Sequence, residues 1–158
     1  MTGGAGGRNV VVGGRVRLGV SLLMAPALVV GVWALLLPRS FYEDFPAAGR
    51  HWVSALGPYN EHLIRDVGAL NLALGALLAL AAILPEQRLT QAALAAWLVY
   101  ALPHFLFHAT ERDALSPLDN LANLATLGLA VLLPLVLLAA TRDGGKSSRR
   151  RSETGGRG

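Results

Sequence analysis

The chain has 158 residues, 53% of them hydrophobic, with 14 basic and 10 acidic side chains and a formal charge of +4. A soluble domain is about 45–50% apolar with glycine counted in, so the apolar excess points away from an ordinary water-soluble fold. The absence of cysteine excludes disulfides, thiolate metal sites and thiol catalysis.

The excess falls in four blocks almost free of charge. A bilayer core needs about 20 apolar residues as helix, so four spans and one domain are predicted. Residues 1–17 are Gly-rich, carry Arg8, Arg15 and Arg17, and read as a disordered basic tail. Span one is expected over 18–37, closed by Pro38. Its apolar run exceeds the roughly 7–15 residues of a signal-peptide core, and no good A-x-A site follows, so it reads as a retained helix. Residues 38–60 form the longest loop, rich in rings that favour the headgroup layer: Phe41, Tyr42, Phe45, Trp52 and Tyr59. Ser40 and Glu43 fit a capping box, which suggests a short interfacial helix. Gly57-Pro58 then breaks the chain, and Asn60 suits an N-cap.

Span two is expected over 63–84, stopped by Pro85. A tight turn, Glu86-Gln87-Arg88, leads to span three over 89–109. Ser116-Pro117-Leu118-Asp119 is a strong helix start: Ser caps, Pro takes the first position, and Asp meets the positive dipole end. Span four covers 121–140. Residues 142–158, with Arg149-Arg150-Arg151, read as a second disordered basic tail. Lys146 as sole lysine, with heavy use of Ala, Leu, Gly and Arg, suggests a high-GC bacterial source.

The fold class is therefore all-α: an integral membrane four-helix bundle, antiparallel and up-down. Lys/Arg bias sets its orientation. With both termini inside, ten basic residues face inward and four (Arg39, Arg50, Arg65, Arg112) face outward. Seven of the ten acids also fall outside. Both favour N-in/C-in, in an inner or plasma membrane. The C-terminal basic tail reads as a topology signal rather than a lipid-binding element.

Apolar burial cannot drive helix association in lipid, so small residues must let helices approach. Span two offers Gly68, Gly75 and Ala79; span three Ala92, Ala93 and Ala96; span four Ala122, Ala125 and Gly128. Pro26, Pro103 and Pro134 lie inside spans one, three and four, and each removes a backbone hydrogen bond.

Polar residues sit in the outer halves of three spans: His62, Arg65, Asp66 and Asn71; Tyr100, His104 and His108; Asp119 and Asn123. Tyr100, His104 and His108 are four apart and form one stripe. Ionisable groups in a span are expensive and should face the bundle interior and pair. A polar cluster at the outer mouth is expected, and three readings of it stay open. The favoured one is a structural network of Arg65, Asp66, His104, Asn123 and Asp119 that fixes helix register, overlapping with a scaffold that binds a membrane partner. The second is a metal or haem site built on His104 and His108, with His62 and Asp66 or Asp119 completing the shell. The third is a small-molecule or proton pathway.

Walker, Rossmann and G-x-S-x-G signatures are missing, so no catalytic residues are assigned and catalysis is not expected. No cofactor is specified. Expected contacts are the lipid bilayer and a membrane-protein partner or second copy of the chain, not nucleic acid. Trp33 and Trp52 read as interface anchors and Trp97 as packing.

The stretches Trp52–His62, Arg65-Asp66-Val67-Gly68 and Pro103–His108 resemble small actinobacterial membrane proteins. The plan of residues 18–140 resembles DoxX-like membrane proteins. That resemblance implies a four-helix fold and transfers no site residues. DoxX-like proteins are sometimes linked to redox partners, and the lack of cysteine here speaks against a thiol role.

Overall fold

The computed structural model describes residues 11–47 and 49–154, with backbone alone for 143–154. Five helices and a 3-10 turn follow in chain order: α1 (Gly14–Leu36), α2 (Pro38–Asp44), the turn Ser54–Leu56, α3 (Glu61–Ile83), α4 (Gln87–Thr110) and α5 (Pro117–Thr154). Among the described residues the one extended pairing is an isolated bridge between Val11 and Glu86. α1, α3, α4 and the Pro117–Arg142 part of α5 are each long and apolar enough to cross a bilayer. Val29, Ile83, Val99 and Leu132 stand more than half exposed on these four helices. So much exposed apolar surface would promote association in water, whereas lipid accommodates it.

The helix starts follow local chemistry. The Asn60 side chain accepts from the Leu63 amide at 3.1 Å, as an N-cap should. Ser116 accepts from the Asp119 amide at 3.2 Å and donates to the Asp119 carboxylate at 2.7 Å. The expected interfacial helix is α2, but Ser40 does not cap it. Pro38 occupies its first turn and starts the helix earlier. Ser40 thus lies inside α2, accepting from Trp33 Nε1 and donating to Asp44, both at 3.2 Å.

Other boundaries shift. α1 begins at Gly14 rather than residue 18, and α4 takes in Gln87 and Arg88 from the expected turn. The disorder expected over 1–17 does not reach residues 11–17. Val12 is buried and its amide donates to the Pro85 carbonyl at 2.8 Å, because its apolar side chain has the α3–α4 turn to pack on. The α5 backbone stays helical to Thr154, past the end expected at 140, with no proline after Pro134 to stop it. Residues 1–10 and 155–158 of the expected tails lie outside the described residues.

α1 packs most extensively on α3, and α4 on α5. In the first pair, backbones meet. A Cβ on Gly68 would lie 2.5 Å from the Leu35 amide nitrogen, and one on Gly31 would lie 2.8 Å from that of Leu72. A Cβ on Gly75 would strike Leu28 at 2.6 Å. Gly68 and Gly75 thus give the close approach expected of small residues in span two, with Gly31 as an unforeseen third. At Gly128 of α5 the nearest atom is 3.7 Å away, so no close approach depends on it. The main core joins Val20 and Leu23 of α1, Leu78 of α3, Leu94 and Trp97 of α4, and Val131 and Leu137 of α5. A smaller one, around Ala34, Phe41 and Ile64, lies under the 45–60 loop.

Candidate functional site

Polar side chains collect at the end of the helices that carries the 45–60 loop, here the loop end. The other, at the α3–α4 connection, is the turn end. At the loop end the expected single network resolves into three groups.

The first is a ladder inside the helices. Asn71 of α3, 3% exposed, donates to the Val67 carbonyl at 2.9 Å and to Tyr100 Oη of α4 at 3.4 Å. The Tyr100 ring stacks on His104 with centroids 5.6 Å apart, and His104 meets His108 edge-on at 4.9 Å. His108, 7% exposed, accepts through Nδ1 from Asn123 Nδ2 of α5 at 3.0 Å. That contact leaves the proton of a neutral imidazole on Nε2. From His108 to Tyr100 the ladder descends about 12 Å along α4 at about 1.5 Å per residue. The four-residue stripe is therefore real, and its two ends are tied to two other helices.

The second is a latch between the loop and α5. Asp119 accepts from Trp52 Nε1 at 3.0 Å, from Ser116, and from Arg50 in an ion pair. Trp52 lies edge-on to Phe45 at 6.3 Å, and Phe45 packs on Phe41 and Trp33. Trp52 is thus an anchor within the protein as well as a ring at the expected interface. Tyr42 donates to the Gly57 carbonyl at 2.7 Å and closes the far side of the loop. Burial, and then the Glu61 carboxylate beside it, raise the Tyr59 phenol above its ordinary pKa, so it stays a donor.

The third lies on the exposed face of α3. His62 pairs with Asp66 at 3.2 Å, and Arg65 with Glu61 at 2.9 Å, each four residues apart. Neither pair enters the ladder. Asp66 and Arg65 were expected to meet His104 and Asn123. Instead the first two turns of α3 bury Ile64 and Gly68 and leave His62, Arg65 and Asp66 exposed, and Asn71 is its polar contribution to the interior. His62 does not complete a shell with His104 and His108. Among the described residues no three His, Cys, Asp or Glu side chains group as a metal site.

Two further arrangements carry weight. Pro134 has no amide proton, so the Ala130 carbonyl loses its helical partner. Trp97 Nε1 of α4 donates to that carbonyl at 2.8 Å, so Trp97 is a polar tie as well as packing. The proline inside a span was the available signal. Also, Arg65 of α3 donates to the Leu35 carbonyl in the last turn of α1, while Arg17 of α1 donates to Ala82 in the last turn of α3 at 3.1 Å. Each helix supplies an arginine to the unpaired carbonyls of the other, where a cation also suits the dipole.

These helices and their interior polar contacts define a multi-pass helical membrane protein. The chain matches no family model, no curated protein and no solved structure.

Proposed function

We propose that this is an antiparallel, up-down four-span protein of structural or partner-binding type, in an inner or plasma membrane with both termini in the cytoplasm. Its polar interior holds the helices in one register. The observation that carries this reading is the ladder Asn71–Tyr100–His104–His108–Asn123, whose members contact one another across three helices. Such contacts fix register because a slip of one helix leaves buried polar groups without partners. The up-down plan is supported by the α1–α3 contacts, in which residue numbers rise on one helix as they fall on the other: 28 with 75, 31 with 72, 35 with 68. The orientation is supported by the Lys/Arg excess on the side of both tails.

The test combines purified wild-type protein with a His104→Ala/His108→Ala variant. A structural ladder lowers the melting temperature of the variant and leaves the visible and elemental composition of both proteins alike. A haem band or stoichiometric metal that disappears with the two histidines would overturn the reading in favour of a cofactor site. Reporter fusions after residue 142 and within residues 47–58 check the orientation, with the first expected inside and the second outside.

A further inference from the structure

The two ends of the molecule treat their cations differently: among the described arginines of the loop end, Arg112 alone makes no ion pair and donates to the Ala109 carbonyl instead. All four ion pairs among the described residues lie at the loop end: Arg39–Glu43, Arg50–Asp119, His62–Asp66 and Arg65–Glu61. At the turn end Arg15, Arg17, Arg88 and Arg142 make no ion pair among the described residues. Guanidinium groups at a bilayer surface attract anionic lipid headgroups.

One of these arginines stands over a groove. Between α1 and α3 at the turn end the surface opens into a groove of about 420 Å³, lined by Arg17, Leu18, Ser21 and Met24 of α1 and by Ala79 and Ile83 of α3, with the Ser21 hydroxyl turned to the Arg17 carbonyl at 3.0 Å. That volume is in the range of roughly 300–1,000 Å³ typical of small-ligand pockets. Nearer the loop end the same pair closes, because Gly75 and Gly68 bring the backbones together. The Arg17 Nε–H donates to the Ala82 carbonyl, which fixes the guanidinium at the mouth of the groove. From Arg17 to Met24 the groove reaches about 10 Å along α1 toward the bilayer interior, at about 1.5 Å per residue. A planar guanidinium above an apolar trough has the layout of a phosphodiester above an acyl chain: the fork donates to phosphate oxygens, and the trough removes methylenes from disorder.

We propose that this groove binds one anionic phospholipid from the leaflet at the turn end. Its phosphate sits on Arg17, and an acyl chain lies against Leu18, Met24, Ala79 and Ile83. The proposal rests on the placement of the chain in a bilayer. That placement is read first, by resistance of the wild-type protein to alkaline extraction from vesicles, so its failure is seen separately.

The probe is phosphatidylglycerol doped into phosphatidylcholine vesicles, with lipid retained per chain counted by native mass spectrometry. Wild-type protein should keep one phosphatidylglycerol in preference to phosphatidylcholine. Arg17→Gln should lower that preference about five-fold, the worth of one basic residue near a charged surface, while Arg17→Lys keeps most of it. Ala79→Phe fills the trough and should abolish retention with Arg17 in place. Arg142→Gln, away from the groove, should leave it unchanged. An undiminished preference in Arg17→Gln would overturn the proposal. So would an equal fall in Arg17→Gln and Arg142→Gln, which would mean diffuse charge attraction without a site. If Ala79→Phe does not fold, the Gln, Lys and Arg142 series still decides.

Discussion

The α1–α3 pair and the α4–α5 pair solve the same problem by opposite means. Neither gains from apolar burial, since lipid tails are as apolar as the side chains themselves. α1 and α3 are joined by glycines that let backbone touch backbone, and by arginines at the two ends that each serve the other helix. α4 and α5 keep their backbones further apart. They are joined by side-chain hydrogen bonds: His108 to Asn123, Trp97 to Ala130, and Gln87 and Gln91 to Thr141. The first pair depends on the absence of atoms and the second on the presence of donors. Enlarging a residue should therefore break one pair, and deleting a donor the other.

The largest effect is expected at Gly68. A Cβ there meets the Leu35 backbone nitrogen at 2.5 Å, and backbone cannot rotate away as a side chain can. Gly68→Leu should cost at least about 3 kcal/mol, read as a fall in melting temperature in detergent. Gly128→Ala is its counterpart in the other pair, with nothing nearer than 3.7 Å, and should cost no stability, since Ala is favoured over Gly inside a helix by about 0.5–1 kcal/mol. Equal losses at the two glycines would remove the contrast.

Next comes Trp97. Trp97→Phe keeps most of the ring and deletes the donor to Ala130, leaving a buried carbonyl unpaired at a cost of about 1–3 kcal/mol. Pro134→Ala restores an amide proton that can serve the same carbonyl. In that background Trp97→Phe should cost clearly less, and a double-mutant cycle measures the difference. An unchanged cost would show that the indole acts by packing alone.

The four spans were legible because a bilayer demands long apolar runs, and those runs cannot hide in a sequence. Asn60 and Ser116 were legible because capping is local chemistry. The His104/His108 stripe followed from helical period alone. What the period could not give was rotation about the helix axis. Arg65 and Asp66 fall on the outward face of α3 and Asn71 on the inward one, and only packing against α1 decides that. Gly31 and the Arg17 and Arg65 contacts were missed for a similar reason: they depend on how far α1 slides along α3. Trp97 could have been found, since a proline inside a span leaves one carbonyl in need of a donor. The small residues Ala122 and Ala125 misled, because α5 turns them outward and uses Asn123 between them.

The ladder predicts a smaller change. Asn123→Leu removes the donor to His108 and should cost about 0.6 kcal/mol, the average for hydrogen bonds between membrane helices, whose maximum is about 1.7 kcal/mol. Asn71→Leu should act alike at the other end. If neither moves the melting temperature, the polar stripe is not what sets register in the α3–α4–α5 half.

The smallest effect on global stability is expected at the latch, since exposed ion pairs contribute little. Asp119→Asn keeps an oxygen that can accept from Trp52 but loses the charge that holds Arg50. The melting temperature should move least of the series. The local effect should still be visible, because Arg50 is itself a trypsin site and its side chain is half exposed. Freed from Asp119, the segment around Arg50 keeps the Phe45–Trp52 ring contact, the backbone bonds from Trp52 to Phe45 and from Arg50 to Ala47, and the His51 Nδ1 contact to the Glu43 carbonyl at 2.7 Å. Cleavage after Arg50 should therefore quicken in Asp119→Asn and quicken further in Asp119→Ala, which loses the Trp52 acceptor as well. Equal cleavage rates in all three proteins would mean that ring packing and the hydrogen bonds to Phe45 and Glu43 hold the loop without Asp119, and that the loop belongs energetically to the α1–α3 half rather than bridging the two.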